Sequence, residues 1–178
     1  KTTDGYNGTM KMATAIDKFV NPSSSATLNF RKNKVGGTIG GGYSDYKYYQ
    51  GLRLENGNAE NKTLTQGQFT GPGNNIDLNL GLDYDINEKN YLGWTLNSNA
   101  NNSIGSTQEF LNENFHNNVS LGKSQMRNIG NDRSRTVSSA LNYDHSLDDA
   151  GSKIKLNAAY LYYKKDQEDL SRNYDFGG

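Results

Sequence analysis

The glycine run Gly36-Gly37-Thr38-Ile39-Gly40-Gly41-Gly42 is the segment dense enough to suggest a phosphate cradle. A P-loop ends in Lys-Ser/Thr, and a dinucleotide loop spaces its glycines G-x-G-x-x-G ahead of a helix. Neither pattern is present, so these glycines read as strand positions with close backbone approach or sharp curvature. His116 and His145, the two histidines, lie outside any metal spacing such as H-E-x-x-H. A Ser-His-Asp site is set by geometry rather than sequence order, but no G-x-S-x-G elbow supports one. His145 reads as a strand-end residue and His116 as a loop residue. Asp77, Asn79, Asp83 and Asp85 share one face of a strand. They could line a wet path for a cation or sugar, or simply form a solvated face. Calcium needs about six to eight converging oxygens, and carboxylates strung along an extended strand diverge, which favours the solvated face. Asp166, Glu168 and Asp169 read as an exposed strand end with Lys164 and Lys165 as counter-charges. Sequons at Asn7, Asn61, Asn101 and Asn118 matter only in a eukaryotic secreted protein, and chance accounts for them here. The expectation is therefore no enzyme, with no catalytic, cofactor or metal site and no assignable substrate-binding residue.

Composition limits what elements can position these residues. The 178 residues carry 19 Lys+Arg and 19 Asp+Glu, so no net field steers a nucleic acid to the chain. Leu, Ile, Val and Phe total 33 residues, too few for an ordinary globular core. Aromatics at 11% and zero net charge argue against disorder. With no Cys, disulfides, thiolate nucleophiles and cysteine metal sites are out. No window approaches about 18 consecutive apolar residues, so no helix is expected to span a membrane. The start, Lys1-Thr2-Thr3-Asp4-Gly5, lacks the apolar stretch of a signal peptide. The chain is therefore expected to begin after processing or to be cut from something larger. Two Pro residues in this length imply that backbone N–H groups are wanted.

Periodicity of two dominates. From Ile76 to Ile86 every even position is apolar and every odd one is polar or Gly, which in a strand makes one greasy and one wet face. Eleven residues is also the length of a tilted strand crossing a bilayer, about 9–11 residues. Weaker alternation predicts seven strands near 6–16, 24–32, 35–55, 76–86, 91–101, 136–147 and 153–166. Short turns fall at Lys32-Asn33-Lys34, Asn87-Glu88-Lys89-Asn90 and Asp148-Asp149-Ala150-Gly151-Ser152. Residues 56–75 and 102–135, rich in Asn, Gly, Gln and Ser, read as long loops. Tight turns at one end and long loops at the other are the pattern of an outer-membrane barrel. Tyr43, Tyr46, Tyr48, Tyr49, Tyr160, Tyr162, Tyr163 and Trp94 concentrate near strand ends, as interfacial girdles require.

Several stretches carry a resemblance. Tyr6-Asn7-Gly8-Thr9, Ala26-Thr27-Leu28-Asn29-Phe30-Arg31-Lys32-Asn33-Lys34-Val35 and Gly41-Gly42-Tyr43-Ser44 resemble the opening of the barrel in TonB-dependent receptors of the Bacteroidetes type. The hairpin from Leu82 to Gly93 and the segment Leu141-Asn142-Tyr143-Asp144-His145 are similar to the same family. The resemblance covers essentially the whole chain. It implies about a third of a barrel of about 22 strands, which in these receptors encloses a plug. It also implies uptake driven from the inner membrane.

The expected fold is thus all-β, an antiparallel up-and-down meander of about 7–8 strands forming part of an outer-membrane β-barrel. The expected role is one segment of a transporter taking up a bulky nutrient, a siderophore or a glycan. Expected partners are outer-membrane lipid, the rest of the barrel and its plug, and other copies through open strand edges, with no nucleic acid. Two alternatives stand beside it. One is a complete eight-stranded outer-membrane barrel of structural or adhesive role. The other is a soluble β-sandwich that binds carbohydrate through Tyr and Trp platforms. A mean hydropathy of -0.90 is very polar even for a barrel.

Overall fold

The structure, a computed structural model, describes residues 4–148 and 150–177. Seven strands follow one another in a single sheet: β1 (Gly5–Ile16), β2 (Val20–Lys32), β3 (Val35–Gly57), β4 (Asn61–Asn87), β5 (Asn90–His116), β6 (Val119–Ser146) and β7 (Lys153–Gly177). Each pairs antiparallel with its sequence neighbours, and the order is β1-β2-β3-β4-β5-β6-β7. The fold is all-β and up-and-down, as the alternation predicts. The sheet is open, with β1 and β7 at its two edges.

The expected long loops are a correction. Residues 61–75 belong to β4, and residues 102–116 and 119–135 belong to β5 and β6. These strands run 27, 27 and 28 residues, and β7 runs 25. Both ends of the meander therefore turn tightly. At one far turn Asn117 and Asn118 hold φ of 47° and 64°, the left-handed pair that a two-residue hairpin turn requires. At the other, Asn58 Oδ1 accepts from the N–H groups of Glu60 and Asn61 at 3.0 and 2.7 Å. The extensions escape periodicity because their few apolar residues do not keep to one face; Phe69 and Phe110, for example, meet edge to face on the side opposite the band. What holds the extensions is the backbone ladder and cross-strand pairs such as Thr63 donating to Asn114 at 2.8 Å and Thr65 to Asn112 at 2.7 Å. Two bulges interrupt the β5–β6 pairing: Gly105, with φ 74°, is the extra residue of β5 between Ile104 and Ser106, and Leu121 is the extra residue of β6 opposite Asn114 and Phe115. Both prolines sit where the ladder lapses on one side, while each keeps a register partner on the other, Pro22 with Thr14 and Pro72 with Lys47. Pro22 lies beyond Ser23, the end of the β2–β3 pairing, and Pro72 lies in the β4–β5 register shift opposite the Gly105 bulge.

Register sorts the side chains onto two faces. One row runs Tyr6, Phe30, Gly37, Leu82, Trp94, Leu141 and Ala158 across all seven strands. The next runs Gly8, Leu28, Ile39, Leu80, Leu96, Ser139 and Tyr160. Stacked rows of this kind make an apolar band. On β4 it extends from Ile76 to Ile86, on β1 up to Ile16, and on β7 from Ile154 to Tyr162. The opposite face at the same height carries Asn29, Thr38, Asn79, Asn97 and Asn142.

Nothing among the described residues covers the band. Among the described residues no hydrophobic side chain is buried, and Leu82 and Leu156 are 47% and 61% exposed. A compact protein of this mass exposes about 8,600 Å² by surface scaling, whereas this sheet exposes 12490 Å². A layer one strand thick explains the difference.

Candidate functional site

Two surfaces differ in chemistry. The first is the apolar band. Above it, on the same face, the strand extensions become charged and ion-paired: Glu55–Lys62 at 3.5 Å, Glu113–Lys123 at 3.3 Å and Glu109–Arg127 at 3.0 Å. The Ser120 hydroxyl and then Lys123 hold the Glu113 carboxyl below its ordinary range. From β3 to β6 this face thus changes from uncovered hydrocarbon to a region that carries these ion pairs.

The second surface is a basin of about 440 Å³ on the polar face, just beyond the height of the band. Its lining includes Tyr46, Tyr48, Asn101, Gln108, Asp132, Tyr163, Lys165 and Gln167. Tyr46 and Tyr48 face Gly73 and Gly71 across the β3–β4 ladder. A Cβ at Gly71 would stand 3.0 Å from the Tyr48 ring, and one at Gly73 would overlap the Tyr46 ring. The absent side chains leave room for the rings to lie over the neighbouring backbone. The Tyr46 hydroxyl then donates to Asn101 Oδ1 at 3.0 Å. Lys165 Nζ meets Asp132 Oδ2 at 2.7 Å, and this hydrogen bond raises the lysine pKa. Gln167 donates to Asp169 at 2.7 Å. Aromatic faces set among amides, a carboxylate and an ammonium can hold a polar ligand by stacking and hydrogen bonds.

The residues singled out by type do not converge. Asp85 pairs with Arg31, Asp83 accepts from the Tyr91 hydroxyl at 2.5 Å, and Asp77 and Asn79 lean over Gly42 and Gly40. Four polar groups on one strand face therefore have four separate surroundings. The glycine run lies in β3 as strand backbone, closely approached by its neighbours. His116 ends β5 and hydrogen-bonds Asn61 at 2.8 Å, while His145 near the end of β6 hydrogen-bonds Asn90 at 2.8 Å. They sit at opposite ends of the long strands. Asp166, Glu168 and Asp169 lie within β7 rather than at its end. Lys164 does pair with Asp166 at 3.0 Å, but the counter-charge of Lys165 is Asp132.

Alternation also divides the tyrosines expected to form one girdle. Tyr43, Tyr49, Tyr160 and Tyr162 share the face of the band, whereas Tyr46, Tyr48 and Tyr163 point to the basin face. Their odd and even numbers carried this signal. The Asp132–Lys165 pair had none, because strands β6 and β7 bring these residues together only once their register is known. The chain matches no protein-family model and no curated protein.

Proposed function

We propose that this chain is a segment of an outer-membrane β-barrel, of the TonB-dependent receptor type, that takes up a bulky nutrient such as a siderophore or a glycan. The apolar band carries the reading. It lies on one face of every strand, no layer among the described residues covers it, and on β4 it spans the eleven residues from Ile76 to Ile86. A tilted strand crosses a bilayer in about 9–11 residues. Lipid on the outside and water on the inside is the environment in which such a two-faced sheet loses no stability.

In this reading the paired charges above the band stand in water outside the cell. β4 continues from Asn75 to Asn61 beyond the band, which at about 3.3 Å per residue is on the order of 50 Å of strand. The outer surface that meets the nutrient is then a tall wall of strands, not a pair of loops. The basin around Tyr46, Tyr48 and Tyr163 faces the lumen. The free edges of β1 and β7 pair with the remaining strands, and the plug stands against the polar face.

Partition and gel mobility test this. The folded chain enters the detergent phase, and its gel mobility shifts on heating as the sheet unfolds. A chain that stays in the aqueous phase as a folded monomer overturns the reading.

A further inference from the structure

Directly above the apolar band, its face becomes basic on β6 and β7. Arg135 stands opposite Lys164 in the ladder, and Arg133 opposite Asp166. Like charges directly across a ladder repel. Asp166 is already engaged by Lys164 at 3.0 Å. On the β5 side the register partners of Arg135 and Arg133 are Ala100 and Asn102, which carry no charge. Three cations thus stand with two carboxylates, Asp166 and Glu168, the latter opposite Asn131 and diagonal to Arg133, which leaves Arg135 without an acidic register partner; both guanidinium-bearing residues are exposed. The opposite face at this height is neutralised, because Lys165 meets Asp132 at 2.7 Å. The excess of positive charge belongs to the face of the band alone. Tyr162 lies one step below Lys164 on that face and Tyr160 two steps below, 44% and 64% exposed.

We propose that Arg133, Arg135 and Lys164 hold the phosphomonoester of a membrane-lipid headgroup at the margin of the band. The proposal rests on the reading that this face meets lipid. A residue just outside the hydrocarbon layer stands at the depth of the headgroups, where tyrosine rings also settle. A guanidinium fork matches two phosphate oxygens, and a phosphate dianion between Arg135 and Lys164 turns their repulsion into two attractions. The long side chains reach the headgroup while their methylene stems stay against the acyl chains.

Lipid retention in detergent tests the site. The chain is equilibrated with equal phosphatidic acid and phosphatidylcholine, repurified, and its bound lipid measured by mass spectrometry. The native chain retains phosphatidic acid preferentially, and the preference falls by about fivefold for each basic residue removed in R133Q/R135Q/K164Q. A control, K11Q/R53Q/K89Q, removes the same charge elsewhere and keeps the preference. Excess inorganic phosphate leaves the lipid in place; displacement would assign the site to free phosphate and overturn the lipid assignment. Trp94 emission in vesicles is read in parallel. A Trp94 shielded by lipid with no phosphatidic-acid preference overturns this site alone. A Trp94 left in water overturns the lipid-facing reading and this proposal with it.

Discussion

Tyr46 lies across Gly73, its register partner on the neighbouring strand, with no room left for a Cβ beneath the ring. Tyr48 repeats the relation over Gly71. The two rings are thereby fixed over backbone on the wall of the basin, and glycine is required there by the ring rather than by the local dihedral angles. Gly73→Ala is expected to cost about 1–3 kcal/mol, as overpacking does. In a Tyr46→Ala background the same change costs much less, because the obstructing ring is gone. Urea unfolding of the four proteins of this cycle in detergent gives the coupling, and additive effects would show that the ring does not sit over Gly73.

The charge of a side chain placed in the band tests the assignment of faces. Leu96 and Asn97 are consecutive on β5, one on the apolar face and one on the polar face. Leu96→Arg is expected to destabilise the membrane-folded state by about 2–4 kcal/mol, the range for a basic residue on a lipid-facing barrel wall near the midplane. Asn97→Arg changes it little. The folded fraction by heat-dependent gel mobility compares them, and equal losses would contradict the face assignment.

The turn between β6 and β7 responds to acid. The Asp148 carboxylate accepts the Ser152 N–H at 2.9 Å, and this bond with others from the same turn lowers its pKa. A lowered folded value means that its stabilisation is present above the unfolded value, about 3.9, and disappears as the pH falls through the folded value. Lys165 acts in the opposite sense. Raised by its bond to Asp132, it contributes fully below the ordinary lysine value of about 10.4 and loses that contribution as the pH rises through the higher folded one. Carboxyl titration by NMR is expected to place the Asp148 midpoint below that of a free aspartate. An ordinary midpoint would show that the turn bond is not made.

How far the sequence disclosed this depended on contrast between faces. Ile76 to Ile86 was readable because each even side chain lies in the band and each odd one on the polar face. Residues 61–75 of the same strand were not, because Lys62, Gln66 and Gln68 lie on one face and Thr63, Thr65 and Phe69 on the other, so hydropathy barely alternates there. The turn that closes β5 onto β6 was visible in principle as the dipeptide Asn117-Asn118, two residues that tolerate positive φ. It was hidden inside a stretch that read as loop. The abundance of Asn looked like loop composition, yet Asn29 donates to Asn7 at 2.8 Å and Asn99 to Asn75 at 2.8 Å between strands. The very low mean hydropathy has the same source, since the strands that stand beyond the band carry few apolar residues on either side. The basin needed three-dimensional register, because its tyrosines, Asp132 and Lys165 come from distant segments.

Open edges and an uncovered band have a consequence in water. β1 and β7 each present an unpaired strand edge, and such edges with exposed apolar surface drive association. Without detergent the chain is expected to sediment as oligomers, and with detergent as single copies. A clean monomer in plain buffer at all concentrations would contradict this.

Trp94 offers the most direct test of a lipid-facing sheet. It is the chain's single tryptophan, it lies in the row of the band between Leu82 and Leu141, and its Nε1–H donates to Ser139 Oγ at 2.9 Å. In vesicles its fluorescence is expected to be blue-shifted, strongly quenched by lipids brominated along the acyl chain and insensitive to aqueous iodide. Emission at the wavelength of a hydrated indole, quenched by iodide and untouched by brominated lipid, would contradict the assignment of this face to the membrane.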